Sequence, residues 1–151
     1  MATSLTVKKL STTLKVTSYD FDPDATTATD VAWVDMRDFR EALFQVVRTI
    51  GVSDLTMLIL GNSESDGSGT DVTIKTKTFA TLGQPNAVGD YAFMELLAEE
   101  IAQAGEENDE DLRYVSVSLA AATGTDECVV NYILSNSKFN YSGMSADYIT
   151  T

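Results

Sequence analysis

The chain of 151 residues contains no histidine, a single cysteine and a formal net charge of −13. Without histidine it lacks the commonest general base and metal ligand, and Ser-His-Asp or Cys-His catalysis is impossible. The acidic balance disfavours nucleic acid as a partner, because phosphate binding depends on Lys and Arg displacing counterions. The length suits one domain able to bury roughly 70% of its unfolded surface without disulfides or metals.

Residues 1 to 13, "MATSLTVKKLSTT", are poor in core-forming side chains and read as an extended arm. Nothing near Met1 has the basic, apolar and cleavage-site order of a signal peptide. Leu14, Val16 and Ser18 alternate with Lys15, Thr17 and Tyr19, which predicts an early strand. "DPDATTATD" follows as a loop, with Pro23 lacking a backbone donor.

Residues 33 to 61 carry two signals. Met36, Phe39, Leu43, Val46, Val47 and Ile50 fall at helical spacing, with Asp35 placed to cap and Gly51 to end a helix. Yet "FQVVRTI" is dense in β-branched and aromatic residues. "LTMLIL" follows after a short Gly-Val-Ser-Asp link, which is the pattern of a hairpin. "GNSESDGSGTD" is turn and loop composition. In "DVTIKTKTF", Val72, Ile74 and Thr76 alternate with Thr73, Lys75 and Lys77, predicting a half-buried strand with a solvent face.

Residues 91 to 104 read as a helix with Phe93, Leu97 and Ile101 on one face, Glu95, Glu99 and Glu100 mostly off it, and Gly105 as its stop. The acidic run "EENDED" leads into "LRYVSVSL", then the turn "TGTDE", then "CVVNYIL", so residues 112 to 134 read as a second hairpin. The last segment, from residue 136, places Phe139, Tyr141 and Tyr148 in a polar background and reads either as a tail that docks on a neighbour or as one whose Phe139 and Tyr141 pack back on their own domain.

The charge is unevenly spread. No Lys or Arg occurs between Lys77 and Arg113, an interval holding nine carboxylates from Asp90 to Asp111. This predicts a solvated acidic surface that keeps the chain in solution, or else a patch complementary to a basic partner surface. The longest apolar runs, such as Met57 to Leu60, fall far short of the ~20 residues that span a bilayer, so no membrane contact is expected.

Sites for chemistry fail on spacing or context. Asp20, Asp22 and Asp24 open like a calcium loop, but Ala25 stands where its turn glycine belongs and Val31 where its bidentate Glu belongs. "GNSESDGSGT" lacks the Gly-Lys-Ser/Thr ending of a phosphate cradle. Cys128, beside Val129 and Val130, reads as a small buried hydrophobe. An unbridged thiol fits a reducing compartment. Trp33, among Val31, Ala32, Val34 and Met36, reads as a core or interface anchor. No catalytic residue, cofactor or metal site is expected.

Two segments together carry a resemblance: "WVDMRDFREALFQVVRTIG" at residues 33 to 51, and "LRYVSVSLAA" at residues 112 to 121. With Ala98-Glu99-Glu100 between them, their order resembles the decoration, cement or auxiliary capsid proteins of tailed-bacteriophage heads. The match runs loosely from about residue 31 to 135. It implies that residues 41 to 49 and 55 to 61 pair as strands, and that "AFMEL" is a strand, against the helical reading of 91 to 104. The acidic stretch from Gly105 to Asp111 departs from the compact link expected there and reads as a surface elaboration.

The expectation is a mainly β chain: an antiparallel, jelly-roll-like β-sandwich at residues 14 to 135 with one or two short helices, an arm at 1 to 13 and a tail at 136 to 151. The resemblance implies a non-enzymatic virion protein on the outer capsid surface, made in the host cytoplasm. Its partners would be the major capsid protein and further copies of itself, as a trimer or dimer. Leu5 and Val7 in the arm, and Tyr141, Tyr148 and Ile149 in the tail, are the expected interface residues. Alternatives are a head–tail connector or tail-tube component, and a carbohydrate-binding β-sandwich module.

Overall fold

The computed structural model describes residues 15–21, 29–30, 32–51, 54–79, 89, 91–121 and 127–136. In chain order the elements are β1 (Lys15–Phe21), β2 (Thr29–Asp30), β3 (Val34–Asp35), β4 (Glu41–Ile50), β5 (Leu55–Asn62), β6 (Val72–Phe79), β7 (Tyr91–Leu97), α1 (Ala98–Asn108), β8 (Tyr114–Ala121) and β9 (Glu127–Ser135). One sheet has the order β1-β9-β4-β7 and the other β2-β8-β5-β6, with β3 also on β8. All pairings are antiparallel. The pairs β1·β9, β2·β8, β4·β7 and β5·β6 nest inside one another, like one long hairpin. Rolling it brings β9 onto β4 and β8 onto β5. This is a jelly roll, the expected class.

Alternation makes the core. Ala42, Phe44 and Val46 of β4 and Val130, Tyr132 and Leu134 of β9 face inward from the first sheet. They meet Leu55, Met57 and Ile59 of β5 and Val115, Val117 and Leu119 of β8 from the second. Phe44 and Tyr132 pack edge to face with centroids 5.0 Å apart. Each fully buried side chain of this size contributes roughly 1.5–3 kcal/mol of hydrophobic stabilisation.

Both predicted hairpins are corrected. Strands β4 and β5 belong to different sheets, and so do β8 and β9. The links at residues 51–54 and 122–126 carry the chain from one sheet to the other. Phe44 and Val46 thereby lie across the core from Met57 and Ile59 instead of beside them. A hairpin and a crossing between sheets need the same alternation and the same short link, so the local pattern does not separate them. Among the described residues the one pairing of consecutive strands is β5·β6, through the loop at 63–71.

The helical reading of 91 to 104 is corrected in its first half. Residues 91–97 are strand, paired to β4 from Val47↔Tyr91 to Glu41↔Leu97, with Ala92, Met94 and Leu96 buried. Phe93 and Leu97 share the outward side of β7, while Ile101 is in the core. The implied strand over "AFMEL" is observed. The helix starts where the strand stops. The Ala98 N–H donates to the Arg40 carbonyl (2.8 Å), and Glu100 reaches back to accept from the Leu97 N–H (2.9 Å).

Gly105 is not the helix stop. The helix runs on to Asn108, and Asp109 takes the left-handed conformation (φ 57°) that ends it. The Glu110 N–H then bonds the Gly105 carbonyl (2.9 Å), and a Cβ at Gly105 would sit 2.6 Å from the Glu110 oxygen. The glycine permits a close backbone approach. The acidic stretch expected as a surface elaboration is therefore partly helical.

Asp35 caps no helix, because residues 41–50 are strand. It accepts from the Arg37 N–H (2.9 Å) in a turn and pairs with Arg113. The arm at 1 to 13 lies outside the described residues, as do the tail beyond Asn136 and with them Leu5, Val7, Tyr141, Tyr148 and Ile149. Asp22, Pro23 and Asp24 lie outside them as well.

Candidate interaction surface

The side chains of the two sheets that point away from the core differ in cover. On the second sheet Leu60, Ser116 and Ser118 occupy outward positions, yet they are 8%, 0% and 1% exposed. On the first sheet the outward positions of β7 are open. Tyr91 is 55% exposed, Phe93 41% and Leu97 46%. The Tyr91 and Phe93 rings meet edge on, 5.3 Å between centroids and inclined at 67°.

The register continues this surface inward. Tyr91 lies beside Val47 and then Val129, Phe93 beside Gln45 and then Asn131, and Glu95 beside Leu43 and then Ile133. Leu43, Val47, Val129 and Ile133 are half-buried. Asn131 donates to Gln45 Oε1 (2.9 Å) in the middle of the stripe. Strand β7 is a sheet edge, and large apolar side chains grouped on an edge strand mark an interaction surface.

The edge is held in place by charge. Lys75 of β6 reaches between the sheets, donating to the Glu95 carbonyl (2.7 Å) and pairing with Glu100 of α1 (2.7 Å). Val72 and Ile74 pack on the core and Thr73 is exposed, as predicted. After the register shift at Ile59/Leu60, however, Lys75 and the exposed Lys77 stand opposite the inward-facing Ile59 and Met57, at the rim of the sandwich interior. Thr76 and Thr78 are the outward residues. Burial disfavours the Glu100 charge, but the Lys75 ammonium and the Leu97 N–H more than compensate, and its carboxyl titrates below the ordinary value.

A second ionic tie joins β3 to β8. Arg113 donates Nε to Asp35 Oδ1 (3.1 Å) and Nη2 to Oδ2 (2.5 Å), and stacks on the Tyr114 ring at 4.9 Å. At Asp35, burial opposes ionisation, yet the guanidinium and the Arg37 N–H lower its pKa. The pair fastens a turn and leaves no reactive carboxyl.

Among the described residues no group of three or more His, Cys, Asp or Glu is placed to hold a metal. No helix among them is long and apolar enough to cross a membrane. Cys128 is buried, 1% exposed, as expected. Trp33 is half-buried at the fold's edge and not in the core cluster, its indole lying on the loop at Gly67.

Sequence reasoning missed two features. Arg48 is fully buried, continuing the inward series Ala42, Phe44 and Val46. Once β4 is a strand, period 2 alone places it inside. The open stripe on β7 was missed because Phe93 was assigned to a helical face. Alternation from Tyr91 to Leu97 was the available signal.

No protein-family model matches the chain, and no curated protein matches it in sequence. Solved structures share its fold loosely. A chain from "Bacillus endospore appendages form a novel family of disulfide-linked pili" is 16% identical, covering 82% of this chain and 88% of that one, with a TM-score of 0.46. The SPBc2 prophage-derived protein YomS is 15% identical over 81% of this chain and 95% of that one, at 0.44. The infectious bursal disease virus Gx strain structure is 11% identical over 87% of this chain and 34% of that one, at 0.43. Likeness at this level carries no argument about function.

Proposed function

We propose that the protein is a non-enzymatic virion component that binds the outer surface of a tailed-phage capsid and stabilises it. The observation that carries this reading is the open apolar stripe of Tyr91, Phe93 and Leu97 on an edge strand. That is a surface built for another macromolecule, on a sandwich whose interior is filled. The sequence resemblance supplies the partner, the major capsid protein. Burying the stripe against joined capsid subunits stabilises the assembled shell, because the ligand prefers the joined state to the separated one.

In this reading the protein self-associates as a dimer or trimer, so that repeated sites on a lattice add avidity. The arm around Leu5 and Val7 and the tail around Tyr141, Tyr148 and Ile149 extend the contacts. The acidic surface keeps it off packaged DNA. A sugar platform is disfavoured because the two exposed rings, inclined at 67°, present no common flat face.

The test is co-sedimentation of the purified full chain with capsids that lack it, followed by heating. Binding with a raised disruption temperature is the expected result. Absence from washed virions overturns the reading, and ring-shaped particles of the protein alone favour the connector.

A further inference from the structure

An open groove of about 880 Å³ runs between α1, the turn after it and the turn at Met36 and Arg37. Its floor is apolar: Met36, Ile101 and Leu112, with Ala98 and Ala102 on the helix. Glu106, Asp109, Glu110 and Asp111 also line it. The two guanidinium groups in its lining already sit against carboxylates. Arg113 is paired with Asp35, and Arg37 lies 3.9 Å from Asp35 and 3.8 Å from Asp38. Among the described residues the four carboxylates of the lining have no cationic partner. The groove is therefore shaped for a segment that is both apolar and basic.

The sequence contains such a segment. Lys8 and Lys9 are the only adjacent basic residues in a chain with ten Lys and Arg, and they are flanked by Leu5, Val7 and Leu10. The register shows where this segment leaves the fold. Lys15 pairs with Leu134, Leu134 with Ala42, and Ala42 with Leu96. The start of β1 thus lies in the same cross-strand row as the end of β7, where α1 begins. Three inter-strand spacings, about 14 Å, separate them. Fourteen residues precede Lys15, enough to span roughly 45 Å when extended. At Lys15 the β1 axis leads out of the sandwich at that end.

We infer that the groove beside α1 receives residues 5–10 of a second copy of this chain, with Lys8 and Lys9 against Glu106, Asp109, Glu110 and Asp111 and the flanking apolar residues on the Met36–Ile101–Leu112 floor. Each copy offers the segment and the groove at the same end, so two copies meeting at that end exchange segments reciprocally about a two-fold axis. The inference rests on the reading that the protein self-associates, and not on capsid binding.

The test uses the full chain. Light scattering across a concentration series should show self-association that weakens as salt rises from about 0.05 M to 1 M, as surface charge pairs are screened. Lys8→Glu with Lys9→Glu should weaken association on the order of 10-fold or more, and adding Glu110→Lys with Asp111→Lys should restore it. A Lys9→Cys, Glu110→Cys variant should cross-link between chains on oxidation, Cys128 being buried.

Three results each overturn the inference: a wild-type chain that stays monomeric at every concentration, charge reversal without effect or without rescue, and a cross-link formed only within one chain. Loss of capsid binding with inter-chain cross-linking intact would remove the proposed function and leave this contact standing.

Discussion

Two single residues show how the jelly roll satisfies its backbone. Along β8, β2 pairs at Ser118 and Leu119 and β3 at Val115 and Tyr114, so the ladder skips the residues between. There the Val117 N–H donates to the Tyr132 hydroxyl (2.7 Å), which arrives from the opposite sheet through the core. Tyr132→Phe keeps the edge-to-face packing on Phe44 but strands a buried donor. The expected loss is about 1–3 kcal/mol in chemical denaturation, with the fold retained. Gly105 is the second case. Because a Cβ there meets the Glu110 carbonyl, Gly105→Ala should destabilise by roughly 1–3 kcal/mol, although alanine is the better helix former. An unchanged denaturation midpoint would show that the turn after α1 moves freely.

At the scale of elements, two ion pairs reinforce the frame, one beside the short β3·β8 ladder and one where no ladder runs. Asp35–Arg113 fixes the β3 turn to the start of β8, and Glu100–Lys75 fixes α1 to β6. Both carboxyls titrate below their ordinary values, 3.8 for Asp35 and 4.5 for Glu100. Depressed pKa values mean that the unfolded chain binds more protons. The stability these pairs add is therefore complete above the ordinary values and is lost as pH falls through and below them. A denaturation series should show a fall starting near pH 4.5 that is shallower in Asp35→Asn and in Glu100→Gln. The pairs are about one-third exposed, so each effect is small.

The sequence made these elements only partly legible. Strand β6 and the alternation of β8 and β9 were readable because period 2 survives any topology. The boundary inside 91–108 was not. Tyr91 to Leu97 carry apolar side chains at both strand and helix spacings, and the choice falls to β4, whose free edge pairs with them.

At the scale of the whole molecule, the open stripe is the feature most closely tied to the proposed role. Tyr91 and Phe93 contribute little to the core, being half exposed. The double substitution Tyr91→Ser, Phe93→Ser should leave the thermal midpoint within a few degrees and abolish co-sedimentation with capsids. Retained binding would move the capsid contact elsewhere on the surface. The same reasoning explains why the site was the hardest part to read. The notable property of Phe93 is not its chemistry but its side of the sheet, and that follows from the register with Gln45.

The sequence by itself determined the material: an acidic, histidine-free, strand-rich chain with alternating apolar residues, a loop at 61–71 and two regions of helical spacing, at 36–50 and 91–104. These are local properties, set by side-chain volume, charge and backbone preference over a few residues. Only the tertiary structure decided which strands are neighbours, that β4 and β5, like β8 and β9, lie in different sheets, and that Tyr91 and Phe93 face outward while Arg48 faces in. The physical reason is that an apolar strand face is indifferent to whether it is buried beside its sequence neighbour or across from it. The choice is made by all the faces that must be covered together, in one rolled sandwich.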